Sequence, residues 1–249
     1  MAISLDDAVE TFVRGFCFTR SFTHPYVPER IDGAWLMRDG PGRKEPRRQE
    51  WAACGLSPSK IDALARKHCR GRYVISAILP LGEPNERFRA EFKSLGYRLT
   101  STEAMMVHPL QAIPDFPPPA GIAVERVTTQ AFADRLAKAA RTRQMLPEHL
   151  KHPKPPLRQY AACDGDKIIG WAKSITVGPC TWCSSMFVAP AYRRRGIGKA
   201  MLSRLLAEDK SNGAPNAVLT ASHAGAKLYP HLGFEQIATL YLFMPCRRT

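Results

Sequence analysis

The chain has 249 residues, of which 45% are hydrophobic and 23% are charged, and these proportions exclude a disordered, collagen-like or coiled-coil protein. Its net charge of +14 is uneven, because residues 1–119 carry a net +3 and residues 120–249 a net +11. The strong positive charge of residues 120–249 indicates a negatively charged binding partner. This partner could be nucleic acid, an anionic membrane surface or a polyphosphate cofactor.

Sequence features also bear on the cellular compartment. No apolar run approaches the ~18–20 residues of a membrane helix, and Asp6 and Asp7 stand where a secretory signal needs basic residues. The seven cysteines are an odd, scattered set, which fits reduced thiols better than a disulfide framework. The sequence therefore predicts a cytoplasmic protein without membrane contact.

The first half of the chain predicts a strand at 73–79, a following helix, and a strand that ends at Pro109. Segment 113–121 then contains four prolines in nine residues, which makes it stiff and extended. We place a domain boundary at this linker, which gives domains at 1–112 and 122–249.

After the linker, strands and helices alternate. A helix N-capped by Thr128 or Thr129 follows the first strand, and the proline-rich segment 147–157 predicts a loop. Two further helices are predicted, one beginning near Gly196 and ending near Asn212-Gly213, and a short one at 223–232. Hydrophobic alternation predicts strands at 122–127, 159–164, 167–177, 181–188, 217–220 and 236–244.

The two halves share a short pattern. Phe92-Lys93-Ser94-Leu95-Gly96-Tyr97 and Tyr229-Pro230-His231-Leu232-Gly233-Phe234 each precede a predicted strand that ends in proline. Two copies of one strand–helix–strand unit would explain the similarity. Leu-Gly-aromatic is also a common way to end a helix, and this alternative stays open.

The segment from Met186 to Leu202 is the most informative. Its strand ends at Val188, and three arginines and two glycines then lead into an amphipathic helix. Glycine lets a ligand approach the backbone, and the first helical turn offers unpaired N–H groups, so this segment suits a phosphate or pyrophosphate. A P-loop and a dinucleotide fingerprint fit less well, because Ala200 and Met201 stand where those motifs need Ser/Thr and Gly. A merely solvated basic turn is the alternative.

The order Val188-x-Pro190-x-x-Arg193-x-x-Gly196-Ile197-Gly198 resembles the acyl-CoA-binding motif of the GNAT family of N-acetyltransferases. Downstream, Leu228-Tyr229-Pro230-His231-Leu232-Gly233-Phe234 resembles the end of that family's second motif. The resemblance covers about 122–245, and 73–109 looks like a degenerate copy without the acyl-CoA loop. It implies a mixed α/β (α+β) fold of two GNAT-like domains. Each would be a mostly antiparallel sheet flanked by helices, with a central splayed strand pair in the C-terminal one.

The resemblance also implies site residues. The backbone of the strand before the loop would pair with the pantetheine arm of acetyl-CoA, and backbone N–H groups of the loop would hold the pyrophosphate. Arginine side chains and Lys199 would add charge toward the 3′-phosphate, and Ser222 stands where many members have an asparagine that contacts the cofactor. The implied cofactor-binding residues are Met186, Phe187, Val188, Arg193, Arg194, Arg195, Gly196, Ile197, Gly198, Lys199 and Ser222.

Tyr229 matches the tyrosine that the family often uses as general acid, and an ordinary tyrosine is protonated at pH 7. A core aromatic before the Leu-Gly-Phe cap is the alternative. The general base is not identified, because no Asp or Glu occurs between Asp166 and Glu208, where some members place a glutamate. His223, Glu148 and His149 are candidates by their chemistry alone.

The Cys180-x-x-Cys183 pair has no second pair at metal-ligand spacing, so we interpret it as structural thiols and predict no metal site. The favoured hypothesis is an enzyme that transfers an acetyl or acyl group to a primary amine of a small molecule or peptide. A non-catalytic acyl-CoA sensor and, on net charge alone, a nucleic-acid-binding module are the alternatives. The chain is expected to be a monomer or a homodimer.

Overall fold

Helices and strands alternate through residues 3–69, 71–152 and 154–246, which are the residues that the computed structural model describes. They form two compact units. The N-terminal unit contains Ile3–Met106, Thr220–Ala226 and residues 236–246. The C-terminal unit contains Val107–Leu219 and Lys227–Glu235. No described helix is long and apolar enough to cross a membrane.

The N-terminal unit is built around a mixed sheet flanked by helices. Its helices are α1 (Leu5–Arg20), α2 (Pro58–His68) and α3 (Glu86–Ser94). Its strands are β1 (Tyr26–Ile31), β2 (Ala34–Asp39), β3 (Gln49–Cys54), β4 (Tyr73–Pro80) and β5 (Tyr97–Pro109), and the chain passes into the C-terminal unit near the end of β5.

The C-terminal unit repeats this composition. Its helices are α4 (Gln130–Ala140), α5 (Pro147–Lys151) and α6 (Ile197–Ser211). Its strands are β6 (Ile122–Arg126), β7 (Leu157–Asp164), β8 (Lys167–Val177), β9 (Cys180–Val188) and β10 (Asn216–Ala221), the last of which ends within the N-terminal unit. A final strand, β11 (Glu235–Pro245), lies in the N-terminal unit except for its first residue.

In the N-terminal unit the strand order is β1-β2-β3-β4-β11-β5. The pairs β1–β2, β2–β3 and β4–β11 are antiparallel, and β3–β4 is parallel. In the C-terminal unit the order is β10-β9-β8-β7-β6, and only the described pair β9–β10 is parallel there. Each sheet is therefore mixed and mostly antiparallel, as the sequence predicted.

Helix α6 covers the C-terminal sheet with an apolar face. Ile197, Met201 and Leu205 are at most 1% exposed, and their i, i+4, i+8 spacing places them on one side of the helix. Strand β8 packs closely against both β9 and α6 at Gly170. A Cβ there would lie 2.9 Å from the Phe187 carbonyl oxygen and 3.1 Å from the Met201 methyl carbon. Glycine is therefore required at this position for helix and strand to pack.

The structure corrects two predicted elements. The predicted loop 147–157 contains α5, whose first residue is Pro147; Pro153 of that segment lies outside the described residues. The predicted helix 223–232 is instead two 3₁₀ turns, Gly225–Lys227 and Tyr229–Leu232, because glycine and Pro230 interrupt the segment.

The last strand, β11, was expected in the C-terminal domain, and most of it lies in the N-terminal unit. β11 pairs with β4, with Leu240 opposite Ile78 and Phe243 opposite Ile75. The last strand therefore belongs to the N-terminal unit, although it follows the C-terminal one along the chain. The domain boundaries predicted from the sequence, 1–112 and 122–249, stay a prediction.

Candidate functional site

Strand β9 carries an irregularity just before the loop. Lys173 pairs with Ser184 and Trp171 with Phe187, so two residues of β9, Ser185 and Met186, face one residue of β8. Ser185 has a φ of 55°, in the left-handed region that a serine rarely adopts. This β-bulge bends the strand and increases its twist at the point where the resemblance places the pantetheine arm.

The described pairing of β9 with β10 is short and stops before the bulge. Their described parallel pairing joins Ala217 to Thr181 and Val218 to Trp182, near the start of each strand. β9 then continues to Val188 beside β8. The backbone of Met186, Phe187 and Val188 therefore has no described pairing with β10, as the splayed strand pair implied by the resemblance requires.

The loop after β9 turns sharply into α6. A 3₁₀ turn at Pro190–Tyr192 follows Ala189, and the Arg193 Nε donates to the Val188 carbonyl oxygen at 2.9 Å. Arg194 and Gly196 both have left-handed backbones, with φ of 61° and 84°. These two left-handed residues redirect the chain so that α6 begins at once.

The first turn of α6 presents backbone donors. The first hydrogen bond of the helix runs from the Ala200 N–H to the Gly196 carbonyl oxygen at 3.0 Å. The N–H groups of Ile197, Gly198 and Lys199 precede it, so they have no acceptor within the helix. Together with the positive end of the helix dipole and the exposed Arg193–Arg195 side chains, they make this turn suitable for a diphosphate.

Several side chains near the loop already have partners. Lys199, expected to point toward a phosphate, has its ammonium 4.9 Å from the centre of the Phe116 ring. The Tyr192 hydroxyl donates to Asp164 at 2.9 Å, and the Arg195 guanidinium lies over the Tyr192 ring at 5.4 Å. The Lys199–Phe116 cation–π interaction joins the linker to α6, and the Arg195–Tyr192 cation–π interaction lies within the loop.

Gly198 brings the second motif to the loop. A Cβ at this position would lie 3.4 Å from a Leu228 methyl carbon and 4.0 Å from a Val188 methyl carbon. The segment with Leu228 therefore packs against the first turn of α6 and the end of β9. Tyr229 follows directly, so the structure brings it to the same end of the C-terminal unit as the loop.

Tyr229 is 8% exposed, and its ring packs against Phe234 with a centroid distance of 5.5 Å. Burial, together with a smaller effect of Cys183 of β9, raises the pKa of Tyr229 to about 12. Its hydroxyl is therefore protonated at neutral pH, as a general acid requires.

The described contacts of Ser222 are with the backbone of the turn that follows it. It is exposed, its hydroxyl accepts from the Gly225 N–H at 3.3 Å, and its carbonyl accepts from the Ala226 N–H at 2.9 Å. Ser222 thus stabilises the turn after β10, within the N-terminal unit. His223, one of the candidate bases, is exposed beside it.

The other two candidate bases lie on α5. Glu148 is exposed, whereas His149 is 8% exposed and its Nδ1 accepts from the Leu146 N–H at 3.1 Å. Burial lowers the pKa of His149, the Glu148 charge opposes this effect, and the Lys173 charge adds to it. The imidazole is therefore neutral at pH 7.

Lys173 was not selected from the sequence. It is 4% exposed in the middle of β8, and burial lowers its pKa to about 8. A signal was present, because Lys173 is the one charged residue in the run from Ile168 to Val177. A lysine inside a predicted buried strand is unusual, because lysine is almost never fully buried, and it therefore indicates a candidate functional residue.

A buried ion pair joins α6 to the sheet, and sequence reasoning also missed it. Asp209 is fully buried and accepts from Arg158 at 2.7 and 2.9 Å, from Ser174 at 2.7 Å and from Thr181 at 2.9 Å. These donors lie on β7, β8 and β9. Burial raises the pKa of Asp209 and the Arg158 charge opposes that rise.

Cys180 and Cys183 are both buried, and neither forms a disulfide. Burial raises the pKa of Cys183 well above that of an ordinary thiol, so it is not an activated thiolate. Among the described residues, no group of three His, Cys, Asp or Glu side chains could hold a metal ion.

Comparison with known proteins relates the part of the chain that contains this loop to a protein family. The sequence profile described as "Acetyltransferase (GNAT) domain" matches residues 156–236, which include β8, β9, the loop and α6. No curated protein matches the chain.

Solved structures share the fold across almost the whole chain. A GCN5-related N-acetyltransferase from Kribbella flavida is 15% identical with a TM-score of 0.65, covering 98% of this chain and 96% of that one. A GCN5-related N-acetyltransferase from Sphaerobacter thermophilus is 16% identical with a TM-score of 0.60, covering 98% and 93%. A tandem GNAT protein from the clavulanic acid biosynthesis pathway is 13% identical with a TM-score of 0.52, covering 98% and 96%. Residues 156–236 of this chain therefore match the acetyltransferase domain of the GNAT family, and the chain shares the fold of these solved structures.

Proposed function

We propose that the chain is an N-acyltransferase that moves an acetyl group from acetyl-CoA to a primary amine of a small molecule or peptide. The observation that carries the proposal is the glycine-rich turn from a bulged strand into α6. Its three first-turn amides without an acceptor in the helix suit the diphosphate, and the end of β9 that has no described pairing with β10 suits the pantetheine arm of the same molecule.

In this proposal different residues bind different parts of acetyl-CoA. The amides of Arg194 through Lys199 hold the diphosphate, and the basic side chains of Arg193–Arg195 add long-range attraction. The backbone of Met186–Val188 pairs with the pantetheine arm as an added strand would. Ser222 remains a proposed contact, and Lys199 would have to leave the Phe116 ring to reach a 3′-phosphate.

The chemistry is direct attack of the free amine on the thioester carbonyl carbon. A backbone N–H near Val188 would stabilise the oxyanion that forms. The Tyr229 hydroxyl would then protonate the departing thiolate, because its raised pKa keeps the proton available at neutral pH.

The N-terminal unit supports a tandem arrangement in which one unit binds acyl-CoA. Its β3 and β4 are parallel, like β9 and β10, yet all six residues of β3 pair with β4, from Gln49 with Tyr73 to Cys54 with Ile78. No described residue of β3 therefore lacks pairing with β4, in contrast to the end of β9 beside β10. We therefore propose that this unit is a degenerate copy.

The first turn of α2 points to the same conclusion. Pro58 has no N–H, the Ser59 N–H donates to the Glu91 carboxylate at 3.2 Å, and the Lys60 N–H donates to the Ser57 hydroxyl at 3.3 Å. A carboxylate of the chain itself thus occupies the place where a phosphate would bind.

A non-catalytic acyl-CoA sensor is the second candidate function. The observation that favours it is the lack of any Asp or Glu from 167 to 207, which deprives β8 and β9 of a carboxylate base. We propose that either protein works in the reducing cytoplasm, because none of the seven cysteines forms a disulfide. Monomer and homodimer remain proposals.

Replacing Tyr229 by phenylalanine separates the two functions. For an enzyme, we expect the kcat for thiol release from acetyl-CoA to fall by about 10²-fold, as loss of a general acid does. The Kd for coenzyme A should change less than twofold, because the phenyl ring keeps the packing against Phe234.

The assay would measure free thiol with ethanolamine, glucosamine, spermidine and a lysine-containing peptide as acceptors. Glucosamine is included because a similar fungal region, 13% identical, is described as a glucosamine N-acetyltransferase. Thiol release with at least one amine supports the enzyme. Tight coenzyme binding without release from any amine supports the sensor instead.

A further inference from the structure

Three polar side chains form a row across the C-terminal sheet, beside the β9 bulge. The strand register places Gln159 of β7 opposite Lys173 of β8, and Lys173 opposite Ser184 of β9. Side chains of directly opposed residues lie on the same face of a sheet. Gln159 is 0% and Lys173 is 4% exposed, so most of this row is buried.

The row lies on the face away from α6. The next residue along β8, Ser174, donates to Asp209 of α6, and successive side chains in a strand point to opposite faces. Helix α5 is near the row, because the Lys173 charge acts on the His149 imidazole. The row is therefore separate from the ion pair that anchors α6.

Two atoms of the row lack a hydrogen-bond partner among the described residues. They are the Gln159 Oε1 and the Ser184 Oγ, and both atoms are buried. Buried polar atoms nearly always have a partner, so such atoms indicate a ligand or an ordered water. Ser184 immediately precedes the bulge, and the row therefore leads to the place where we propose that the thioester arm lies.

We propose that Lys173 is the general base that deprotonates the acceptor amine, while Gln159 and Ser184 hydrogen-bond that amine beside the bulge. The inference rests on the proposed acyl transfer and adds the residue that receives the proton. It also explains how a site without a carboxylate between Asp166 and Glu208 could release a free amine.

The surroundings of Lys173 favour this role. Burial lowers its pKa to about 8, so a useful fraction of the amine is neutral near physiological pH. The described groups that face it include Gln159 from β7 and Ser184 from β9. From α5, His149 interacts with it electrostatically, and exposed Glu148 acts on that imidazole. The buried residues of α4 are the apolar Ala133 and Leu136, and Asp209 of α6 lies on the opposite face.

The proton transfers balance as follows. The neutral Lys173 amine takes one proton from the acceptor ammonium, and the freed nitrogen lone pair forms a bond to the thioester carbon. The C–S bond then breaks, and the electron pair leaves with sulfur. The thiolate takes the Tyr229 proton, the nitrogen loses a second proton that restores the tyrosine, and Lys173 releases its proton to water.

The pH dependence of transfer tests the proposal. With acetyl-CoA and an accepted amine of the panel above, kcat/KM should rise about tenfold between pH 7 and pH 9 and then level off. Lys173→Met should lower kcat by about 10²-fold and leave only the rise that deprotonation of the acceptor amine in solution produces. Lys173→Arg keeps a cation but cannot give up its proton, so it should be equally slow.

Matched readouts separate a base from a structural lysine. The Lys173→Met midpoint of thermal unfolding should stay the same or rise, because the variant removes a buried charge. Lys138→Met, at an exposed position of α4, should keep the wild-type rate and pH profile. Coenzyme A affinity should be unchanged in all three variants. A Lys173→Arg rate equal to wild type would overturn the proposal.

A titration that needs no activity completes the test. In ¹³C-lysine-labelled wild-type protein, one side-chain NMR signal, assigned through Lys173→Arg, should titrate with a midpoint near 8. An ordinary midpoint of about 10.4 would overturn the proposal, even if no amine is accepted. Absence of transfer by the wild type would instead refute the proposed function and leave this midpoint to decide the chemistry of Lys173.

Discussion

Asp209→Ala is expected to lower the free energy of unfolding by about 3–5 kcal/mol, because it leaves the Arg158 guanidinium buried without its counter-ion. Asp209 is fully buried and Arg158 is 5% exposed, so water cannot replace the lost contacts. The hydroxyls of Ser174 and Thr181 lose their acceptor at the same time. Thermal denaturation should show a midpoint about 10 °C lower for a chain of this size.

Two controls sharpen this prediction. Asp209→Leu combined with Arg158→Met removes both charges, and most of the lost stability should return. Glu10→Ala breaks the exposed pair with Arg14, whose atoms are 2.5 Å apart, and should change stability by less than about 0.5 kcal/mol. An Asp209→Ala midpoint within 2 °C of wild type would show that the pair does not anchor α6.

The second large effect is expected at Gly196. Its φ of 84° is forbidden to a β-branched residue, so Gly196→Val must rotate the backbone at the start of α6. That rotation redirects the amides that we propose to hold the diphosphate. The Kd for coenzyme A, measured by calorimetry, should rise at least tenfold, which is a loss of about 1.4 kcal/mol.

Gly213 supplies the matched control for this variant. It follows the other end of α6, its φ is 87°, and, as at Gly196, a Cβ would meet nothing within 4 Å. Gly213→Val should therefore cost a similar amount of stability without changing the Kd for coenzyme A. Equal affinities of the two variants would contradict the assignment of the diphosphate to the α6 turn.

Local pattern predicted most of the C-terminal unit. Alternation from Lys167 to Val177 and the glycine–helix junction at Gly196 are local signals, and the structure has β8 and α6 where they indicated. Thr129 was one of two proposed caps, and its hydroxyl accepts from the Phe132 N–H at 3.3 Å. Side chains that interact within a few residues leave their mark on the sequence.

Features that depend on distant partners were not predictable. The pairing of β11 with β4 joins residues about 160 positions apart, and no turn residue records it. The Asp209 network draws donors from three strands, and the buried row of Gln159, Lys173 and Ser184 exists only once the strand register is set. The 3₁₀ turns at Gly225 and Tyr229 show that glycine and proline outweighed the apolar pattern there.

The central claim is that the first turn of α6 binds the diphosphate of coenzyme A, and amide NMR tests it most directly. On titration of ¹⁵N-labelled protein with coenzyme A, the N–H signals of Gly196, Ile197 and Gly198 should shift strongly. Those of Ser59 and Lys60, whose partners lie within the chain, should stay in place. Unmoved α6 signals in protein saturated with coenzyme A would contradict the account.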